Sequence, residues 1–334
     1  MWIKIKNKII NTIKKYRLIE NGDKLVLGVS GGPDSIAMLN ILNEIKNDSD
    51  INLNFNIVVA HINHMIRKEA IDDEKFVQEY CNRKKIDFYS KRIDVKKLAN
   101  NNKIGTEEAG RKARYEFFDE VLRNTNSNKI AIAHNKNDNA ETIIMNAIRG
   151  SGITGLKGIE PKRGKYIRPL IECERDEIET YCEENKLEPR IDKTNFENEY
   201  TRNKIRNIVI PYVKRELNPN IINTFSRLSE LVRDEEEYLE KQVKKAFEEI
   251  KIDEDKKQIV LDLKKFNSYE KVIKSRLVLY TITRLFNTAK GIEKIHIDDI
   301  LKLCSNNIGN KYLTPNKNIK VLVKNHKIYF LNQK

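Results

Sequence analysis

The stretch Val26-Leu-Gly-Val-Ser30-Gly31-Gly32-Pro33-Asp34-Ser35-Ile36 constrains the fold more than any other part of the chain. An apolar run of strand character passes straight into two glycines, and a helical pattern begins at Pro33. Two glycines let the backbone turn sharply and approach a ligand closely. Proline suits the first turn of a helix, where its missing N–H would have had no partner. The free N–H groups of that turn and the helix dipole then face an anion. Ser30 and Ser35 can add hydroxyl donors. Asp34 is the odd member, an acid beside a phosphate site, and it makes sense as a ligand of Mg²⁺, which takes hard oxygen ligands. No Lys-Ser/Thr pair follows the glycines, so the loop is not a Walker A loop.

Around this loop the first half of the chain alternates two patterns. Strand-like runs at 25–30, 56–63, 87–93, 129–134 and 166–171 are rich in Val and Ile. Helical patterns at 34–46, 68–85, 107–123, 137–148 and 175–185 lie between or after them. This order predicts a doubly wound α/β domain, a parallel sheet covered on both faces, with its ligand beyond the carboxyl ends of the strands. From Asn203 the pattern becomes mainly helical, with Pro211 a kink or break. Residues 221–250 read as one or two charged helices, and their acidic run Asp234–Glu237 as a solvated face. Residues 271–286 form another helix, and the end from Lys311 reads as two or three short strands. The expected organisation is a catalytic domain over 1–215 and a smaller, mainly helical domain over 216–334.

The chain has 334 residues and a net charge of +14. Such a surplus favours a polyanionic partner, although a lysine-rich background composition would also produce it. The last 34 residues concentrate the bias: Lys302, Lys311, Lys317, Lys320, Lys324, Lys327 and Lys334 occur with no acid among them. They are expected to contact a nucleic-acid backbone. Cys81, Cys173, Cys182 and Cys304 form no CxxC pair, which fits a reduced, cytoplasmic protein rather than a disulfide framework or a zinc ribbon. Residues 1–24 read as an amphipathic surface helix, and no run approaches the length of a membrane span.

The SGGxDS loop resembles that of the N-type ATP pyrophosphatases, which cleave ATP between its α and β phosphates and adenylylate an oxygen. Further segments are similar to the tRNA(Ile)-lysidine synthetases within that superfamily. Ala60-His61-Ile-Asn63-His64-Met-Ile-Arg67 resembles AHxNHxxR. Glu107-Glu108-Ala-Gly-Arg111-Lys-Ala-Arg114-Tyr115-Glu-Phe-Phe118 resembles EExARxxRYxxF. Ala133-His134-Asn135-Lys-Asn137-Asp138-Asn139-Ala-Glu141-Thr142 resembles AHHxDDQxET, and Arg149–Ile159 resembles RGSGxxGLxGI. Asp192, Thr194 and Asn195, then Tyr200, Arg202, Asn203, Ile205 and Arg206, follow DxSN…YxRNxIR. Together the segments run in family order from residue 25 to about 215. The last third resembles the family's helical domain only loosely, and the resemblance makes 216–334, with its basic C-terminal strands, the expected tRNA-binding domain. Some members carry a further C-terminal domain that this chain is expected to lack or to hold only in part.

The resemblance implies a two-step reaction. ATP adenylylates O2 of the wobble cytidine in an isoleucine tRNA with a CAU anticodon, and free L-lysine then displaces AMP at C2. It implies ATP and Mg²⁺ as cofactors. Ser30, Gly31, Gly32, Pro33, Asp34, Ser35, His64 and Arg111 are expected at the nucleotide, with Asp34 on the metal. Asp34, Asp138, Glu141, Arg202 and Arg206 are the expected catalytic set. Asp138 and Glu141 lie three apart on one helix face and would bind lysine, one of them accepting its side-chain proton. Arg202 and Arg206 would clamp phosphates or the activated cytidine, although a plain basic helix face remains open. His61, His64 and His134 could form a metal cluster, or could serve as a phosphate donor and packed neighbours. No membrane partner is expected, and a homodimer is open. Asn135, Asn137 and Asn139 depart from the family's His, Asp and Gln. The alternatives are a sulfur-inserting tRNA enzyme, a small-molecule amidating pyrophosphatase and a non-catalytic RNA-binding module.

Overall fold

A computed structural model describes residues 2–65, 70–190, 201–306 and 311–333. Arg67, Asp192, Thr194, Asn195, Tyr200 and Lys334, singled out above, lie outside these residues. The chain packs as two compact units, Met1–Val232 and Arg233–Lys334.

The first unit is built on strands β1 (Lys24–Gly28), β2 (Asn56–Asn63), β3 (Asp87–Arg92), β4 (Lys129–Ile132), β5 (Lys162–Arg163) and β6 (Tyr166–Ile167). They form one sheet in the order β3-β2-β1-β4-β6-β5. All neighbours run parallel except the β5–β6 hairpin. Its helices are α1 (Trp2–Tyr16), α2 (Pro33–Asn47), α3 (Ala70–Lys84), α4 (Val95–Asn102), α5 (Thr106–Asn124), α6 (Lys136–Ile148), α7 (Gly152–Leu156), α8 (Arg175–Glu184), α9 (Thr201–Lys204) and α10 (Ile210–Glu216). Consecutive β1 side chains point to opposite faces. Leu25 and Leu27 join a core with residues of α1, α2, α3 and α8, while Val26 joins Phe117, Phe118 and Val121 of α5. Both faces are therefore covered, and the strand reads as an unbroken apolar run rather than an alternating one. Ile5, Ile9 and Ile13 lie one turn apart and are all buried, which docks α1 on the same layer as α2.

The expected strand over 166–171 stops at Ile167. Pro169 has no N–H to give a ladder, and the chain turns, with Ile171 N–H donating to Arg168 O and Cys173 N–H to Leu170 O. Pro211 does not break its helix. A π-helical stretch, Ile205–Val209, precedes it and leads directly into α10, so the proline falls in a first turn. Such stretches are rare and widen the helix locally.

The helix α11 (Ile221–Ile250) carries the chain into the second unit as one 30-residue element. There follow β7 (Lys251–Glu254), β8 (Gln258–Asp262), α12 (Leu263–Ser268), α13 (Lys271–Phe286), α14 (Lys294–Ser305), β9 (Lys311–Asn316), β10 (Ile319–Lys324) and β11 (Lys327–Asn332). The strands make an antiparallel sheet in the order β7-β8-β11-β10-β9. Ile259, Leu261, Val321, Val323, Ile328 and Phe330 pack one face of it against the helices. The three final strands are as expected, whereas β7 and β8 were not foreseen. The acidic run is not wholly solvated either: Glu236 is 2% exposed and pairs with Arg276. No helix among the described residues is long and apolar enough to cross a membrane.

Candidate active site at the switch point of the sheet

β1 lies between β2 and β4, so connections leave its carboxyl end on one side and that of β4 on the other. This is the crevice in which ligands of such sheets lie. β1 feeds the glycine loop and α2, and β4 feeds His134, Asn135 and α6.

Gly31 has φ +95°, a conformation that a residue with a Cβ adopts only with strain. Gly32 is the residue before α2, and Pro33 opens the helix. Ser35 braces the turn: its Oγ accepts from the N–H groups of Ser30 (3.2 Å) and Gly31 (3.1 Å) and donates to Gly32 O (2.9 Å). Its proton is thus committed to the loop, and the exposed hydroxyl is that of Ser30. On the other side of the loop, Gly31 O accepts from Arg190 N–H at 3.0 Å. His61 is buried, with Nδ1 2.8 Å from Val29 O, so it donates to the strand end just before the loop.

The N-terminus of α6 is closed by a capping box. Asn135 Oδ1 accepts from Asp138 N–H (2.9 Å), and Asp138 Oδ2 accepts from Asn135 N–H (3.1 Å). Asn135 Nδ2 also donates to Asp34 Oδ1 at 2.8 Å, which ties the two connections together. The other two departures from the family pattern also have partners. Asn137 Oδ1 accepts from Arg175 N–H (3.0 Å), and Asn139 Oδ1 accepts from Ile159 N–H (2.7 Å).

Beyond Asp138 lies Glu141, one turn along α6 and 0% exposed. Arg202 Nε meets Glu141 Oε2 at 2.9 Å, and Arg206 Nε meets Oε1 at 2.7 Å. Arg206 Nη2 also reaches Asp138 Oδ1 at 3.0 Å, and Arg202 Nη2 reaches it at 3.3 Å. Arg175, at the start of α8, stands 3.4 Å from Asp138 and 3.3 Å from Glu141. Three guanidinium groups therefore surround two carboxylates. Arg175 carried no signal in the sequence, since it is 34 residues from Glu141 and belongs to none of the matched segments.

The charges shift one another. Burial and then the neighbouring Asp138 raise Asp34 to about 6, against the Asn135 hydrogen bond and the charges of Arg175 and Arg206. Burial pushes Asp138 the same way, but Arg202, His134, Arg175 and Arg206 together outweigh it and hold Asp138 below its usual range. Burial would lower Arg206, but its hydrogen bond to Glu141 and the nearby acids raise it. Burial lowers His134 to about 4 in spite of Asp138, and Arg168 Nε donates to its Nδ1 at 3.3 Å. His134 is thus neutral near pH 7 and carries its proton on Nε2.

His64 and Arg111 lie on the α5 side, and the charge of Arg111 reaches His134 and Arg168. Burial and Arg114 lower His64 to about 4. Its Nε2 lies 3.4 Å from Arg114 Nη2, so it accepts there, and its buried Nδ1 has no partner among the described residues. His64 is thus neutral near pH 7 and carries its proton on Nδ1. Arg111 stacks on Tyr115, 4.9 Å from the ring centroid. No group of three or more His, Cys, Asp or Glu that could hold a metal ion occurs among the described residues, so His61, His64 and His134 are not brought together as one.

Residues 2–213 match the family described as PP-loop domain. The chain is 46% identical to a tRNA(Ile)-lysidine synthase of Clostridium acetobutylicum over 93% of its own length and 66% of that protein's. It is 42% identical to one of Clostridioides difficile, over 98% of its own length and 70% of that protein's. It thus spans about two thirds of the length of these relatives. Among solved structures, a U34-tRNA thiolase of Methanococcus maripaludis matches with a TM-score of 0.55 at 23% identity, over 68% of this chain and 78% of that one. At that identity the likeness is one of fold.

Proposed function

The chain belongs to the tRNA(Ile)-lysidine synthase family, and on that premise we propose that it joins free lysine to the wobble cytidine of an isoleucine tRNA in two ATP-driven steps. In the first, cytidine O2 attacks the α-phosphorus of ATP and pyrophosphate leaves. In the second, the neutral side-chain amine of lysine attacks C2. The C2–O2 bond breaks, O2 departs with AMP, and the nitrogen gives up a proton as the C–N bond forms. A carbonyl oxygen is a poor leaving group, and adenylation makes it a good one.

One observation carries this reading. The hydrogen-bonded chain Asp34–Asn135–Asp138 puts the phosphate loop and the paired carboxylates in a single cluster, so both half-reactions fit one site. Asp34 suits a divalent cation. It is buried, one oxygen is committed to Asn135, and no described residue forms an ion pair with it. Mg²⁺ commonly takes one or two carboxylates together with phosphate oxygens. Bound there, it would neutralise charge on the phosphates. We assign Ser30 and the N–H groups at the start of α2 to the phosphates. Arg202 and Arg206, held in place by Glu141, stabilise the charge that develops on them.

Lysine must arrive as an ammonium and react as an amine, and its ordinary pKa is about 10.4. Arg175, Arg202 and Arg206 balance the charges of Asp34, Asp138 and Glu141, so the acids do not by themselves hold the incoming side chain as an ammonium. Asp138 is 7% exposed and Glu141 0%. We therefore assign Asp138, the less buried of the two, to orient the lysine amine, and Glu141 to position the arginines. Sulfur insertion fits poorly, because burial pushes all four thiols up to about 12, away from the reactive thiolate. Incubation with ATP, labelled lysine and a CAU-anticodon isoleucine tRNA should place label in the RNA, one per AMP released. RNA that stays unlabelled while AMP accumulates would end the proposal.

A further inference from the structure

Arg168 stands one residue past β6, and the pairing of Ile167 with Ala131 brings it to the carboxyl end of β4, just before His134 and α6. It is 6% exposed. Its backbone N–H donates to Pro161 O (2.9 Å), and Nη1 donates to Glu160 O (2.6 Å). Nε donates to His134 Nδ1 at 3.3 Å. Nη2 makes no hydrogen bond among the described residues.

None of these hydrogen-bond partners carries a charge. Burial, Arg111 and Arg163 lower the affinity of Arg168 for its proton, against Tyr115 and Glu160. A guanidinium nevertheless stays charged in a protein. The charge of Glu160 reaches Arg168, but the two form no ion pair. Arg111 and Arg163 form none either among the described residues, and Arg111 lies over Tyr115. Buried charges are normally paired, because taking an ion out of water is costly. Holding two backbone carbonyls explains a polar side chain at this place. It does not explain a buried positive charge with two more beside it, which is the electrostatics of an anion site.

The surroundings identify the anion. A nucleic-acid backbone meets exposed side chains, whereas a guanidinium this buried is reached only by the end of a small ligand. The nucleotide phosphates belong to the loop after β1, and β6 lies two strands from β1, about 10 Å away. His134 feels the charges of both Asp138 and Arg168. The acid assigned to the lysine amine and the unpaired guanidinium therefore flank one imidazole. Free lysine matches that pair, since a four-carbon stem separates its side-chain amine from the end that bears the carboxylate. A carboxylate is also an anion that the planar fork of arginine fits well. We propose that Arg168 binds the carboxylate of the lysine substrate, with Arg111 beside it, and so selects the amino acid over a plain diamine. The proposal rests on the reading above that free lysine is the second substrate.

The test compares labelled lysine with labelled cadaverine, the diamine that lacks the carboxylate, as substrates of the full chain with ATP, Mg²⁺ and a CAU-anticodon isoleucine tRNA. The parent should prefer lysine in kcat/KM by about tenfold or more, the worth of one charge-assisted hydrogen bond. Arg168→Gln should erase that preference by raising KM for lysine about tenfold, with a smaller change in kcat. Arg168→Lys, which keeps the charge but not the fork, should restore part of it. Thermal unfolding of each variant establishes that it folds. A parent that uses both amines equally well overturns the proposal whether or not the variants fold. Equal losses for the two amines would make Arg168 a support of His134 and the Glu160 carbonyl. A pyrophosphate burst that falls as far as lysine transfer would give the anion site to a phosphate. If neither amine enters the RNA, calorimetry with lysine separates the two readings. Lysine binding that weakens about tenfold in Arg168→Gln means that the proposed reaction is wrong and the carboxylate site stands, while binding indifferent to Arg168 removes the site.

Discussion

Asn135 Nδ2 donates to Asp34 Oδ1 across 2.8 Å, joining residues 101 apart in sequence. The bond opposes the burial that raises Asp34 to about 6. An acid raised in the folded state is held most favourably when protonated. Its contribution to stability is complete below the ordinary carboxylate range and is lost as pH rises through about 6. Metal binding follows the opposite course, since a proton on Asp34 competes with Mg²⁺. The affinity for Mg²⁺–ATP is therefore expected to fall as pH drops below about 6. Asn135→Ala should move that midpoint upward by up to about one unit, the size of one hydrogen bond's net contribution. Calorimetric titrations between pH 5 and 8 would decide this. An unchanged midpoint would mean that the bond does not govern Asp34.

Glu141→Gln removes the charge that holds Arg202 and Arg206. Breaking a buried ion pair from one side costs about 3–5 kcal/mol, so the denaturant midpoint should fall clearly. Adenylation, read as pyrophosphate release, should drop roughly a hundredfold because the arginines lose their aim. Loss of lysine transfer alone, with adenylation intact, would return Glu141 to direct lysine binding.

Arg175 lies 3.3 and 3.4 Å from its acids, longer than the Nε contacts of Arg202 and Arg206. Its role is expected to be mainly electrostatic. Arg175→Ala should cost less than Glu141→Gln, because Arg202 and Arg206 still pair with both acids, and should raise the Asp34 midpoint, because Arg175 helps to hold Asp34 down. A large stability loss with no movement of the midpoint would make Arg175 a packing residue instead.

Gly158 has φ +62°, and a Cβ there would lie 2.1 Å from Asn139 Oδ1. Gly158→Ala combines backbone strain with a collision and should cost about 2 kcal/mol or more. Asn139→Ala should relieve part of that cost, although it also leaves the Ile159 N–H without its acceptor. A double-mutant cycle in urea would show the coupling. Strict additivity would mean that the two groups do not meet.

What the sequence made legible follows from the range of each signal. The SGG loop, the parallel strands and the apolar stripe of α1 are local patterns with a fixed period, and they read directly. β7 and β8 are short and partly charged, so their partner β11 and the core behind it define them more than their own residues do. Asn135, Asn137 and Asn139 depart from the family's His, Asp and Gln, and the pattern alone assigns them no task. Their amides turn out to cap α6, bind the start of α8 and hold the Gly158 turn. Arg175 was silent because its partners arrive from α6 only when the sheet is formed. Ser35 read as a ligand donor, and only the folded turn shows that its hydroxyl is spent on Gly32 O.

The central claim is that one site activates cytidine and then hands it to lysine. The most direct test follows pyrophosphate and AMP separately after mixing the protein with ATP, Mg²⁺ and a CAU-anticodon isoleucine tRNA. Without lysine, the account predicts a burst of about one pyrophosphate per protein molecule, dependent on tRNA, with AMP retained on the RNA. Lysine should then release AMP, restore turnover and appear in the tRNA in equal amount. Pyrophosphate release without tRNA, or AMP release that ignores lysine, would contradict it.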